Sequence, residues 1–178
     1  TFDGEKITGN ALGFAINYRD RTDDYGVVLR LRSPGFRTSN GFEKNNSTKW
    51  LKAGRGKTVY YDNHPKLLKT KYNIETVYKT NYTGVIKKQE LSLSTSSDFK
   101  NGDFFKLSGE VEKENFRGIQ FDNLYEFEFG YRSQINSSLK VYNELQSRKI
   151  IVRNLDNPRS SGFYLSLIHI SEPTRLWT

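Results

Sequence analysis

The nine residues Leu124–Arg132, LYEFEFGYR, alternate between apolar and charged side chains. Aromatic residues occupy one side of this alternation, at Tyr125, Phe127, Phe129 and Tyr131. Charged residues occupy the other side, at Glu126, Glu128 and Arg132. Because successive side chains of a β-strand point to opposite faces of the sheet, the stretch predicts a strand with one apolar face and one charged face.

The same period of two recurs on both sides of this stretch. It is clear in residues 11–19, 25–32, 66–79, 85–95, 104–112 and 139–145, and a less regular strand is expected at about 48–60. No helical period of comparable strength is present. The Asn101-Gly102 pair between two alternating segments is a hairpin signal. The chain is therefore predicted to be all-β, an antiparallel up-and-down meander of about eight strands.

The composition of the 178 residues removes several classes of protein. The absence of cysteine excludes a disulfide scaffold and a thiolate metal site. No apolar run is long enough for a transmembrane helix. The net charge of +8 is spread along the chain, and aromatic and charged residues fall on opposite strand faces. A single-stranded nucleic-acid platform needs both on one face, so no nucleic-acid partner is predicted.

The connections between strands favour a membrane β-barrel. Short connections at 20–24, 62–66, 100–103 and 133–138 alternate with a set that is longer on average, at 33–46, 81–84, 114–120 and 154–162. Short turns at one end and longer loops at the other are typical of outer-membrane barrels. The alternative is a soluble β-sandwich or a lipocalin-like binding module, whose strands also alternate.

The apolar face is predicted to contact lipid, because it repeatedly ends in tyrosine or phenylalanine while the opposite face is densely charged. Several strands are also long enough to cross a bilayer when tilted. Charged residues of the opposite face would then line a wet lumen. The predicted lipid-facing residues are Leu12, Phe14, Ile16, Tyr18, Leu29, Leu31, Tyr72, Ile74, Phe127, Phe129 and Tyr131.

No residue pattern predicts a catalytic, cofactor or metal site, and the chain is not expected to be an enzyme. Two carboxylate pairs, Glu110 with Glu112 and Glu126 with Glu128, lie among lysines and arginines of the same face. Ion pairing accounts for them better than glycoside hydrolysis does. His64 lies in a turn and is interpreted as a turn residue.

Three stretches resemble a known family. Residues 31–46, LRSPGFRTSNGFEKNN, contain a Pro-Gly-Phe-Arg run followed by Asn-Gly-Phe, and residues 116–141 and 154–162 contain a Phe-Asp pair and an Asn-Pro-Arg loop. These stretches resemble bacterial outer-membrane β-barrels of unassigned biochemical function, which often follow a family-9-like carbohydrate-binding domain. The resemblance covers about residues 10–163.

The resemblance implies a place in the bacterial outer membrane, in a larger transmembrane β-barrel of which this chain is a fragment. The implied partners are outer-membrane lipid, the remaining strands of the barrel, and glycans bound through a carbohydrate-binding domain outside this sequence. No cofactor is implied. Phe36, Arg37 and Phe42 in the first long loop are candidates for binding. A transport, pore or anchoring role is left open.

The end of the chain resembles something other than protein-coding sequence. Leu165–Arg175, LSLIHISEPTR, is similar to the in-frame translation of a sequencing-library adapter. Residues 1–164 are therefore expected to be a partial outer-membrane β-barrel and residues 165–178 a non-native tail. The absence of methionine, even at position 1, fits an internal fragment of metagenomic origin.

Overall fold

The computed structural model describes residues 9–36, 47–136, 139–153 and 158–160, together with the backbone of 164–173. Strands joined by turns and loops make up these residues, and no helix occurs among them. The strands are β1 (Ala11–Arg19), β2 (Asp23–Arg32), β3 (Thr48–Tyr60), β4 (Leu67–Asn81), β5 (Ile86–Phe99), β6 (Phe104–Phe116), β7 (Ile119–Gln134), β8 (Leu139–Lys149), β9 (Ile151–Val152), β10 (Arg159–Ser160) and β11 (Tyr164–Pro173).

Strands β1 to β8 form one sheet in chain order, and every pair of neighbours is antiparallel. This arrangement confirms the predicted all-β, up-and-down meander. Strand β11 adds to the same sheet beside β8, and β9 pairs with β10 in a separate two-stranded sheet. The main sheet is not closed, because β1 and β11 are its two ends and do not pair with each other.

The backbone of 164–173 pairs with β8, from Tyr164 opposite Arg148 to Pro173 opposite Leu139. This is most of the segment that the sequence predicts to be a non-native tail. The pairing describes the conformation of this backbone and does not test the predicted origin of the segment, which stays a prediction.

One connection differs from its sequence-based prediction. Residues 114–120 were expected to form a longer loop, but β6 continues to Phe116 and β7 starts at Ile119, so that only two residues turn the chain. Arg117 and Gly118 both have positive φ, 54° and 82°, as the tight hairpin turn that follows the twist of the strands requires. The Asn115 side chain accepts a hydrogen bond from the Gly118 N–H at 3.1 Å. The predicted difference in loop length between the two ends is therefore wrong here.

The turns of successive hairpins shift in one direction along the sheet, by uneven steps. One line of paired residues starts at Asn17 on β1 and reaches Glu126 on β7. The last paired residue before the following turn is two positions beyond Asn17 on β1, at Arg19, but eight positions beyond Glu126 on β7, at Gln134. A shift of six residues, about 20 Å, over six strand spacings, about 29 Å, corresponds to a strand tilt of about 35° if the sheet forms part of a barrel.

Candidate functional site

The most extensive chemical feature of the molecule is the difference between the two faces of its sheet. Strand pairing aligns Leu12 with Leu31, Phe14 with Leu29, and Tyr18 with Tyr25. It continues through β3 to β8 so that all the predicted lipid-facing residues fall on one face. We call this the apolar face and the opposite one the charged face. Most of the predicted residues are exposed, while Leu29, Leu31 and Tyr131 are half-buried.

On β5 and β6, exposure on the two faces is the reverse of that in a protein folded around an apolar core. In the centre of the sheet, Leu93 on β5 is 53% exposed and Val111 on β6 is 56% exposed. On the charged face of the same two strands, the side chains of Glu90 and Glu112 are 13% and 16% exposed. At the centre of these two strands, carboxylates are therefore crowded together while apolar side chains are exposed.

Ion pairs and hydrogen bonds offset the cost of crowding charges on the charged face. Lys106 binds Glu128, which also accepts a hydrogen bond from the Ser108 hydroxyl at 3.2 Å. Glu126 accepts a hydrogen bond from the Gln146 amide at 2.8 Å and lies 4.0 Å from a guanidinium nitrogen of Arg148. The predicted ion pairing of Glu126 and Glu128 is therefore confirmed.

A group of three carboxylates on the charged face could in principle hold a metal ion. One oxygen each of Glu90, Glu110 and Glu112 lies within 4.8 Å of the others. The Lys88 ammonium already lies 2.6 Å from Glu90 and 3.2 Å from Glu112. A lysine so placed supplies the cation that these two carboxylates need, and the arrangement has the character of an ion-pair network.

A small apolar cluster on the charged face was not predicted. Phe121 and Leu124 on β7 and Ile151 on β9 are each at least nine-tenths buried, with Phe116 packed against them. Next to this cluster, both carboxylate oxygens of Glu114 accept hydrogen bonds from Arg153, at 2.9 and 2.7 Å. The chain after β8 thus lies over the charged face at this end of the sheet, and a cavity of about 260 Å³ remains beneath it.

One signal in the sequence could have indicated this cluster. Leu124 occupies a charged-face position in the alternation of LYEFEFGYR, since it is two residues from Glu126. An apolar residue there needs a cover, which Ile151 provides. Asn123, with a φ of 57°, interrupts the strand just before it and lets Phe121 turn to the same side. Nothing in the local sequence indicates this irregularity.

The remaining predicted site residues lie in turns and loops. His64 lies in a turn, as predicted. Its side-chain Nδ1 accepts hydrogen bonds from the backbone N–H groups of Lys66 and Leu67, at 3.1 and 2.8 Å. Phe36 is half-buried, and its N–H donates to the Ser33 carbonyl at 3.1 Å. Arg37 and Phe42, the other two loop candidates, lie outside the described residues.

Two turn aspartates have lowered pKa values. The carboxylate of Asp20 accepts hydrogen bonds from the backbone N–H of Asp23, the Tyr18 hydroxyl and the backbone N–H of Thr22, each at 2.7 Å. These bonds, that of Asp23 first, lower its pKa to about 2. The pKa of Asp103 is lowered as well, first by the backbone N–H of Gln134. Both turns are thus fixed by a charged side chain.

Comparison of the chain with protein-family models, with curated proteins and with solved structures found no match. Among the residues described, no helix has both the length and the apolar character to cross a membrane. The candidate site is therefore defined by the chemistry of the two faces alone.

Proposed function

We propose that this chain spans the bacterial outer membrane as part of an antiparallel β-barrel, with its apolar face towards lipid and its charged face towards a water-filled lumen. The observation that carries the proposal is the reversed exposure of Val111 and Glu112, neighbours on β6. Burying a charge while exposing an apolar side chain is costly in water, but it is the arrangement that a lipid-embedded barrel requires.

The positions of the aromatic residues support the proposal. Near the turns that join β1 to β2, β3 to β4, β5 to β6 and β7 to β8, the apolar face carries Tyr18, Tyr25, Tyr72, Phe105 and Tyr131, each within five residues of the strand end. We call this the turn-side end. Towards the other end, Tyr78 and Tyr125 lie eleven and nine residues from the turn-side ends of their strands. We call this other end of the sheet the loop-side end.

The spacing of these two aromatic groups is compatible with a bilayer. The two groups are separated by about seven or eight residues on average, which corresponds to about 25 Å along a strand and to about 20 Å along the membrane normal at the tilt given by the register. On β4 and β7, the strands that carry both groups, six residues separate the two tyrosines. Outer-membrane barrels have an apolar band about 25 Å tall between aromatic girdles. Strands β3 to β7, with 13 to 16 residues, exceed the 9 to 11 or so that a crossing needs.

The competing function is a soluble binding module, a β-sandwich or lipocalin-like barrel. A sandwich would cover the apolar face with a second sheet. The second sheet among the described residues is the two-residue pair β9 and β10, and Ile151 of β9 packs on the charged side instead. The apolar face is without such a cover in this part of the chain, which favours the membrane proposal.

The test is to refold the full chain from urea into phosphatidylcholine vesicles and to separate bound from free protein by flotation. The proposal predicts flotation together with strands tilted by about 35–45° from the bilayer normal, measured by polarised infrared spectroscopy. A chain that folds cooperatively as a soluble monomer without lipid or detergent would contradict the proposal and favour the soluble binding module.

A further inference from the structure

The charged residues that strand pairing aligns with the apolar face differ between its turn-side half and its loop-side end. Strand pairing aligns Asp23, Arg55 and Lys57 with this face near the turn-side end, and Lys49, Lys113 and Lys149 at the loop-side end. The Arg55 guanidinium lies 3.5 Å from the Asp23 carboxylate, so one turn-side cation has an acidic partner. The three charged residues aligned at the loop-side end are all lysines, and one of them, Lys113, has an acidic partner in Asp122.

The three loop-side lysines lie at one level of the sheet. Lys49 is eleven residues from Tyr60, the turn-side end of β3. Lys113 is nine residues from Phe104, the turn-side end of β6, and Lys149 is ten from Leu139, that of β8. Because the turns themselves define one end of the sheet, distances of nine to eleven residues from them place the lysines in an approximate row that crosses β3 to β8.

The loop-side tyrosines lie at the level of this lysine row. Strand pairing places Tyr125 directly opposite Lys149. Tyr82, in the turn after β4, has its ring centroid 5.2 Å from the Lys49 ammonium. Lys113 Nζ is 3.5 Å from the Asp122 carboxylate, and both side chains remain about half exposed. Lys49 and Lys149 thus lie beside aromatic rings at the border of the apolar face, and Lys113 lies at the same border beside Asp122.

We propose that Lys49, Lys113 and Lys149 bind the phosphate groups of anionic lipid headgroups around the barrel. This inference rests on the proposed function, because it needs the apolar face to be embedded in lipid. Tyrosines of an aromatic girdle lie at headgroup level, so lysines at the same level meet phosphates. The long lysine stem keeps contact with apolar surface while the ammonium reaches the anion.

The experiment compares vesicles of phosphatidylcholine alone with vesicles that contain phosphatidylglycerol as the anionic lipid. The full chain is refolded with each, and its partition is measured by flotation at low and at high salt. A lysine near an anionic surface contributes about a factor of five to binding. We expect at least about fivefold tighter association with the anionic vesicles, decreasing at high salt because ions screen surface charges.

The variant Lys49→Gln/Lys113→Gln/Lys149→Gln should bind neutral vesicles normally and lose most of the preference for anionic ones. The matched control removes the same charge at the turn-side end, with Lys57→Gln/Lys66→Gln/Lys100→Gln, and should keep most of the preference. An unchanged preference in the loop-side variant, or an equal loss in both variants, would overturn the inference. Absence of the full chain from neutral vesicles would overturn the proposed function, and this inference with it.

Discussion

The carboxylate of Asp103, in the turn between β5 and β6, accepts a hydrogen bond of 2.9 Å from the backbone N–H of Gln134, the last residue of β7. The same carboxylate accepts hydrogen bonds from the Tyr131 hydroxyl at 2.9 Å and from the Asn101 side-chain amide, also at 2.9 Å. A turn of one hairpin is thus fixed to the end of the next hairpin. Asp103 therefore links these two hairpins at the turn-side end.

Replacing Asp103 with alanine should loosen the β5–β6 turn from β7. Hydrogen bonds to a charged group contribute about 1.5–3 kcal/mol when buried, and the exposure of this site reduces the expected loss to about 1 kcal/mol. Urea-induced unfolding of the chain in detergent micelles measures the loss. Asp62→Ala, in the neighbouring turn, is the control and should change stability little. Equal effects of the two substitutions would show that the Asp103 contacts contribute nothing specific.

Stability should decrease below about pH 4 through Asp20 and Asp103. In the folded state the pKa of each carboxyl group is lower than in the unfolded chain, and that of Asp20 is lowered to about 2. Each carboxylate therefore contributes its full stabilisation at pH values above the unfolded pKa. This contribution is lost as the pH falls from the unfolded pKa through the folded one. Asp20→Asn and Asp103→Asn should flatten the dependence between pH 5 and pH 2.5. Unfolding midpoints that decrease equally in all three proteins would contradict the assignment.

The fold was predictable because alternation is a local property. Each residue of LYEFEFGYR specifies its own face, and the Asn101-Gly102 pair specifies a turn. The apolar-face residues could be named for the same reason. Leu124 shows the limit of this reasoning, because its cover comes from Ile151, in a segment that follows the next strand.

The level of the lysines and tyrosines on the apolar face was not predictable either. It depends on where each hairpin turns relative to its neighbours, and alternation carries no information about this shift. The turn at Arg117 and Gly118 illustrates the difficulty, since a sequence rich in polar residues there suggests a loop. The backbone instead continues both strands and turns within two residues.

A charge introduced in the middle of the apolar face tests whether that face contacts lipid or water. Leu93 lies six residues from the turn-side end of β5, about midway between the two aromatic groups. Arginine at a bilayer midplane destabilises a barrel by about 2–4 kcal/mol, so Leu93→Arg should reduce the folding free energy in vesicles by that amount. The control Ser92→Arg places the same charge next to it on the charged face, opposite Glu75 and Glu110.

The measurement for this pair is a urea titration of the chain in phosphatidylcholine vesicles. Ser92→Arg should reduce the folding free energy by well under half as much as Leu93→Arg, because the charged face contacts water and carboxylates. A soluble module would give a different order: Leu93→Arg on an exposed surface would be nearly neutral or would raise solubility. That result would count against the lipid-facing interpretation.

Removing side-chain packing from the apolar cluster of Phe121, Leu124 and Ile151 should release the segment after β8. Ile151→Ala deletes buried methyl groups that contact Phe121 and Leu124, and a partly collapsible site of this kind predicts a loss of about 2 kcal/mol, confined to the segment. Hydrogen exchange at residues 150–153 should accelerate while exchange in β3 to β5 stays constant. The exposed neighbour Val152 gives the control Val152→Ala. Acceleration over the whole sheet would mean that the cluster stabilises the fold globally.

The turn between β6 and β7 depends on the absence of a side chain at Gly118. Its φ of 82° lies in the left-handed region, where an alanine costs about 1–2 kcal/mol, so Gly118→Ala should destabilise the sheet by about this amount. Gly109, in the middle of β6, has open space where a Cβ would be added. Gly109→Ala should therefore be neutral or slightly stabilising, since it restricts the unfolded chain. Both variants are compared by urea titration in vesicles. If Gly118→Ala were as stable as Gly109→Ala, residues 114–120 would not form the two-residue turn, and the longer loop expected from the sequence would be the better description.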